Sequence, residues 1–333
     1  MTTNWSDAIL WYIMKTKLLL IVTIISVSLL LSTATSFSYW MWTPETKKWI
    51  NPKYAPKDTP KEQLLYAMDL FETGEYRKAL EEFKRLIAYY ERSESAAEAQ
   101  YYMGRSHEEL QNPYHAFEAY QQVIERYPFS QRIDEVIERE YDIGERLFNG
   151  EKVKFVGMAF KATSEQIIEV YKKIVSNAPY SQYAPMAQYR IGELNKRLHF
   201  YREAVEAFQR IVTDYPDSEL ADDAEFQVAI CASAGSSDSA YDQKLTTKAM
   251  EKFEEFSRNH PDSEFVQEAK GEISELTEKK AKSLYETAEF YEKRRKYASA
   301  VIYYEDIVEN FSTASVAPLA MEKVEILRRK IKD

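Results

Sequence analysis

The sequence predicts an all-α helical-repeat superhelix of about six helix pairs closed by a capping helix. Three observations carry this reading: a small–small–aromatic–proline spacing that recurs along residues 61–312, a scarcity of turn formers, and ample apolar mass. The 333 residues include only 8 Gly and 11 Pro, but 25 Tyr and 16 Phe. So few Gly and Pro argue against an all-β domain with many tight turns. The aromatic content is well above that of a disordered chain.

The repeat is clearest around Gly104, where Gln100-Tyr-Tyr-Met-Gly104 is followed by Ala116-Phe-Glu-Ala-Tyr120 and Tyr127-Pro128. The spacing returns at Gly192, Ala204, Phe208 and Pro216, and at Ala67, Ala79 and Phe83 without the proline. With insertions it returns at Gly144, Ile167, Tyr171 and Pro179, and at Ala229, Ala249, Phe253 and Pro261. A last copy runs through Ala288, Ala300, Tyr304 and Phe311. Two small residues let paired helices approach, and the aromatic one turn later fills the space between them. The proline, lacking an N–H, stops the second helix. Ser130, Ser181, Ser218 and Ser263 are placed to cap the helices that follow. This pattern resembles the tetratricopeptide repeat, with a spacing of about 37 residues rather than about 34.

Three stretches depart from the pattern. Phe148 to Ser164 is inserted in the third unit, where Ile167 replaces the second Ala and splays the pair. Ser233 to Gln243 reads as a Ser/Gly-rich loop in the fifth. Glu264 to Lys282 lengthens the first helix of the sixth by about four turns. Residues 313–333 form the cap, with a helix from Val316 to Ile331 covering the open end.

Residues 1–38 read as a signal peptide or membrane anchor, with Met14 a candidate true start. Lys15 and Lys17 precede an uncharged run from Leu18 to Leu31, and small residues follow to Ser38. Cleavage after those small residues is one reading. The other is a retained anchor, since no charge occurs from Leu18 to Thr43 and about 20 residues span a bilayer. On that reading Trp40, Trp42 and Trp49 form an aromatic belt. Either way the body of the chain lies outside the cytoplasm. Residues 39–60 are a Trp/Pro-rich extended linker, whose indoles either cover the first repeat or form a docking strip for a partner or lipid headgroups.

Composition removes several classes of chemistry. A formal net charge of −10 leaves no basic excess for phosphates, so nucleic acid is not an expected partner. Cys231 is the only cysteine, which excludes an internal disulfide. Gly150, Gly157, Gly235 and Gly271 never cluster as a phosphate loop would. His107, His115, His199 and His260 have no metal-ligand neighbour at helical spacing. No enzyme activity, metal or cofactor is expected.

Counting one turn before each small residue gives Leu64, Tyr101, Tyr141, Tyr189, Phe226 and Tyr285, and the resemblance to the tetratricopeptide repeat implies that this column faces the concave groove. The next column holds Arg105 among mostly acidic residues. These rings either bind an extended or helical peptide in the groove or pack against neighbouring helices. Leu64, Tyr101, Arg105, Tyr141, Tyr189, Phe226 and Tyr285 are the candidate peptide-groove residues.

Beyond the generic repeat, the chain resembles the BamD family, periplasmic lipoproteins of the outer-membrane β-barrel assembly machine. The resemblance rests on Lys61–Leu86, Tyr127-Pro-Phe-Ser130, Tyr241-Asp-Gln243 with Pro261-Asp-Ser263, and Ala288-Glu-Phe-Tyr-Glu-Lys-Arg-Arg-Lys-Tyr297. It implies a periplasmic, outer-membrane-associated scaffold whose C-terminal units contact the barrel-inserting subunit and other assembly proteins. It also implies that the N-terminal groove receives segments of unfolded outer-membrane proteins. The family carries a lipidated cysteine after its signal, and this chain has none there, which leaves an inner-membrane tether as the alternative. A periplasmic repeat protein coordinating cell-wall synthesis or envelope constriction, Tol–Pal-like, is the second reading.

Overall fold

The computed structural model describes residues 55–155, 158–237 and 243–332, together with Lys15 and the segments 41–43 and 48–50. Two compact units divide the chain, Met1–Thr59 and Pro60–Asp333. The signal or anchor segment, residues 1–38, lies outside the described residues apart from Lys15. In the first unit, where an extended linker is expected, strands β1 (Met41–Thr43) and β2 (Lys48–Ile50) instead pair antiparallel and set Trp42 opposite Trp49.

The second unit is built from helices in antiparallel pairs. They are α1 (Pro60–Glu72) with α2 (Tyr76–Tyr90), α3 (Glu94–Glu109) with α4 (Pro113–Arg126), and α5 (Ile133–Phe148) with α6 (Ser164–Asn177). Next come α7 (Tyr183–Arg197) with α8 (Tyr201–Asp214), α9 (Ala221–Ser237) with α10 (Gln243–Asn259), and α11 (Val266–Lys293) with α12 (Tyr297–Asn310). Helix α13 (Ala317–Lys332) closes the stack against α12. Six pairs and a cap make the all-α tetratricopeptide-like architecture that the spacing predicts. Among the described residues no helix is long and apolar enough to cross a membrane.

The pairs close because the repeat positions meet. Phe83, Tyr120, Tyr171, Phe208, Phe253 and Tyr304 are all fully buried, as are the small residues facing them. Fit is tightest at the glycines. A Cβ at Gly144 would stand 2.7 Å from the Tyr171 ring, one at Gly192 would stand 2.6 Å from Phe208, and one at Gly104 would overlap Tyr120. Gly271, exposed on α11, has nothing within 4 Å of its would-be Cβ. Glycine there only weakens the helix, so Gly271→Ala is expected to stabilise the chain by roughly 0.5–1 kcal/mol in a urea titration.

Within most pairs the turn follows one recipe. The first helix ends on a left-handed residue, Gly74 (φ 81°), Gln111 (57°), Gly150 (89°), His199 (62°) or Arg295 (59°). The next N–H then reaches back five residues, as in Glu75 to Leu70 (2.8 Å), Asn112 to His107 (2.8 Å) and Phe200 to Asn195 (2.9 Å). This capping satisfies carbonyls that the helix end would otherwise leave unpaired.

The corners between pairs differ from expectation. Ser130, Ser218 and Ser263 accept the backbone N–H two residues on, at 3.2, 3.3 and 3.4 Å, so they fix the turn ahead of the helix rather than cap the helix itself. Ser181 donates to the Ala178 carbonyl (2.8 Å). The insertion in the third unit is a hairpin, β3 (Lys152–Phe155) with β4 (Met158–Lys161). Thr163 then caps α6 in a reciprocal capping box with Gln166. In the fifth unit the expected loop is shorter, because α9 runs on to Ser237 and α10 begins at Gln243; residues 238–242 lie outside the described residues. Helix α11 is one continuous 28-residue rod. Its first half packs Val266, Ala269 and Leu276 on Phe226 and Phe253, and its second half packs Ala281, Leu284 and Ala288 on Tyr304.

Candidate functional site

First helices of neighbouring units touch directly, α1 with α3 and α5 with α7. Their facing sides carry the predicted column, but the structure turns its rings inward. Tyr101, Tyr141 and Phe226 are 1 %, 7 % and 2 % exposed. Leu64 packs partly buried on the first core. Tyr189 and Tyr285 are half-buried, each edge-on at 5.2 Å to the aromatic of its own pair, Phe208 and Tyr304. Phe226 stacks on Phe265 at 5.0 Å and 12°. The rings therefore act as struts between helices, and the hydroxyls of Tyr101 and Tyr189 are held by charged side chains of the next unit.

Around Tyr101 these groups form a dense network. Its phenol donates to Glu135 on α5 and receives N–H bonds from Arg105 (3.3 Å) and Arg139 (3.1 Å). Arg132 lies over its ring at 4.8 Å while pairing with Glu98 at 2.7 Å and Glu135 at 2.8 Å. Arg139 also reaches Glu108, which accepts the buried phenol of Tyr120. Burial, reinforced by the bond to Glu135, holds the Tyr101 phenol above its ordinary value. Burial pushes Glu135 upward, but bonds from Tyr101 and Arg132 outweigh it and keep the carboxylate ionised. In this network Nε of Arg105 is buried with no hydrogen-bond partner.

The motif repeats one unit on. Glu145 accepts from Tyr171 (2.8 Å) and takes two bonds from Arg190 (2.8 and 2.7 Å), which also pairs with Glu193 at 2.5 Å. Burial pushes the Tyr141 phenol up to about 12, with the Glu145 charge adding to it. Tyr189 donates to Asp223 across the next junction (2.7 Å). Tyr101 to Glu135 and Tyr189 to Asp223 both join residues 34 apart, one unit to the next.

A second series lies one residue before the column. Gln63, Gln100 and Gln188 are 1 %, 5 % and 4 % exposed. Each donates its amide to a carbonyl nineteen residues on, Glu82 (3.1 Å), Ala119 (2.9 Å) and Ala207 (3.0 Å), tying first helix to second. The sequence signal for it was a Gln preceding the column residue in three units.

Beside the Tyr101 network a cleft opens at the corners before α3 and α5. It is lined by Arg92, Glu98, Tyr127, Phe129, Arg132 and Glu135. Phe129 is 99 % exposed at its rim, and the Tyr127 hydroxyl is buried without a partner. Phe129 is the exposed aromatic of Tyr127-Pro-Phe-Ser130; Tyr180, at the matching place in the next corner, is 101 % exposed.

Other reactive types are accounted for by packing. Burial lifts the Cys231 thiol to about 11, away from the reactive thiolate. The His107 and His115 rings stack at 5.5 Å, and burial followed by the neighbouring His115 lowers His107 to about 4. His260 bonds Glu225 at 2.8 Å, and His199 occupies a left-handed turn position. Among the described residues no group of three or more His, Cys, Asp or Glu is arranged to hold a metal ion.

Comparison with known proteins adds two kinds of likeness. Residues 228–331 match the YfiO family, described as an outer membrane lipoprotein. Residues 64–131 and 186–218 match tetratricopeptide repeat models. Among solved structures the chain is similar to the C-terminal part of a TPR repeat-containing protein from Cytophaga hutchinsonii, at 16 % identity over 79 % of this chain and 88 % of that one, with a TM-score of 0.34. A tetratricopeptide repeat protein from Parabacteroides merdae is 12 % identical over 81 % and 98 %, with a TM-score of 0.32. YrrB, a TPR protein described as having an unusual peptide-binding site, is 15 % identical over 65 % and 93 %, with a TM-score of 0.33. No curated protein matches the chain.

Proposed function

We propose that this chain is a non-enzymatic envelope scaffold in outer-membrane β-barrel assembly. Its C-terminal units bind the barrel-inserting subunit, and its N-terminal groove receives segments of unfolded outer-membrane proteins. The observation that carries the reading is the YfiO match over residues 228–331, the span from α9 to the capping helix. Two features of the geometry support it. The outward sides of α12 and α13 expose Ile302, Leu319 and Met321 at 66, 51 and 54 %, apolar surface of the kind that partners cover. At the other end the cleft before α3 and α5 combines the exposed Phe129 ring with Arg92 and Arg132 in its lining, where an extended peptide finds both apolar contact and charged hydrogen-bond donors.

The test is cross-linked affinity capture of the full chain from its own membranes. A β-barrel insertase with periplasmic domains is the expected partner, and Ile302→Glu with Met321→Glu is expected to cut its recovery about tenfold. Phe129→Ser, at a position with no packing to lose, leaves the insertase bound and reduces recovery of unfolded outer-membrane proteins. Recovery of cell-wall synthesis enzymes or Tol–Pal components, with no insertase, rejects this reading in favour of the envelope-constriction role.

A further inference from the structure

The β1–β2 hairpin belongs to the first unit, and its surface is unusual for a segment in water. Trp42 and Trp49 face each other across the strands with ring centroids 5.9 Å apart, edge to face. They remain 50 % and 62 % exposed, and Met41, on the opposite face of the pleat, is 46 % exposed. Three-residue strands carry few ladder bonds, and an isolated two-stranded hairpin is marginal in water. A hairpin with apolar side chains on both faces therefore needs a surface to stand on.

We propose that this hairpin docks into the headgroup–acyl boundary of an anionic lipid bilayer. Position is the first argument. The uncharged run that begins at Leu18 ends at Pro44, within one residue of the end of β1. Any bilayer engaged by that run lies next to the hairpin. Charge is the second. Residues 44–61 hold five lysines against Glu45 and Asp58, in a chain whose net charge is −10. A basic stretch of this kind complements anionic headgroups. Side-chain chemistry is the third. Indoles combine a large apolar face with one N–H donor and concentrate at the membrane–water boundary for that reason. The proposal does not depend on the assembly role, because it concerns the unit before the repeats.

All five Trp precede Ile50, so indole fluorescence reports on this end of the chain alone. The full chain with Trp5, Trp11, Trp40 and Trp42 each changed to Phe keeps Trp49 as its single indole. It is reconstituted in phosphatidylethanolamine vesicles containing phosphatidylglycerol, with acyl chains brominated either near the headgroup or near the bilayer centre. Trp49 lies six residues beyond Thr43, so insertion of the uncharged run does not by itself bury it. The expected result is at least about twofold stronger quenching by the shallow bromines than by the deep ones, with protection from aqueous iodide. Full iodide quenching without bromine quenching puts the hairpin in water and overturns the proposal. An emission shift with soluble cell-wall glycan fragments, and none with vesicles, overturns it in favour of a carbohydrate ligand. Unchanged helical circular dichroism confirms that the repeats, which contain no Trp, are intact.

Discussion

Gly192→Ala is expected to lower stability by roughly 1–2 kcal/mol, although alanine is the better helix former by about 1 kcal/mol. The added methyl would sit 2.6 Å from Cε1 and 2.7 Å from Cζ of Phe208. That ring is fully buried and belongs to the core that α8 shares with α9. It cannot swing into solvent, so α7 and α8 must part, and parting them weakens the Gln188 bond to Ala207 across the same seam. The same substitution at Gly271 has the opposite sign, because nothing opposes it there. Helical circular dichroism in urea measures both. Gly192→Ala combined with Phe208→Leu is expected to recover part of the loss, giving a coupling of about 1 kcal/mol. Equal, stabilising shifts at Gly192 and Gly271 would show that close approach is not what the repeat glycine provides.

The spacing made the stack legible because its determinants are local and steric. A small residue, a second small residue and a ring one turn later can close a helix pair in only one way, and all six rings are buried where that predicts. The groove was less legible for a geometric reason. A residue three before the small position lies about 60° round the helix from it, on the shoulder of the buried stripe. Whether a ring there faces inward depends on the neighbouring unit. Here Arg132 covers Tyr101, and Phe265 stacks on Phe226. The left-handed turn positions were hidden because Gln111, His199 and Arg295 occupy them and carry no glycine signature. The hairpin leaves little trace in the sequence because three-residue strands are too short for alternation to stand out.

Glu140→Gln is expected to remove a pH dependence that the wild-type chain carries across neutrality. Glu140 is fully buried on α5. One carboxyl oxygen accepts from Gln121 at 2.7 Å, and the other has no partner. Gln121 is in turn held by Asn177 of α6 at 3.2 Å. Burial pushes Glu140 from an ordinary 4.5 up to about 8; the Gln121 bond and the Lys173 charge pull only weakly against it. The folded chain thus keeps a proton on Glu140 that the unfolded chain has released above about pH 4.5. Stability is fully present below that value, declines as pH rises through the window, and reaches its lower limit once the folded group ionises near pH 8. The loss is of the order of 2–4 kcal/mol. His107, lowered from 6.5 to about 4, adds stability as pH rises through that interval and so opposes the decline below about pH 6.5, which leaves the Glu140 effect to be read above it. Glutamine retains the acceptor for Gln121 without the ionisation, so its urea midpoint is expected to stay level between pH 7 and 9 while that of the wild type falls. Parallel declines in both proteins would assign the dependence to another group, and a level wild-type profile would mean that the carboxyl finds its charge compensated in the folded state.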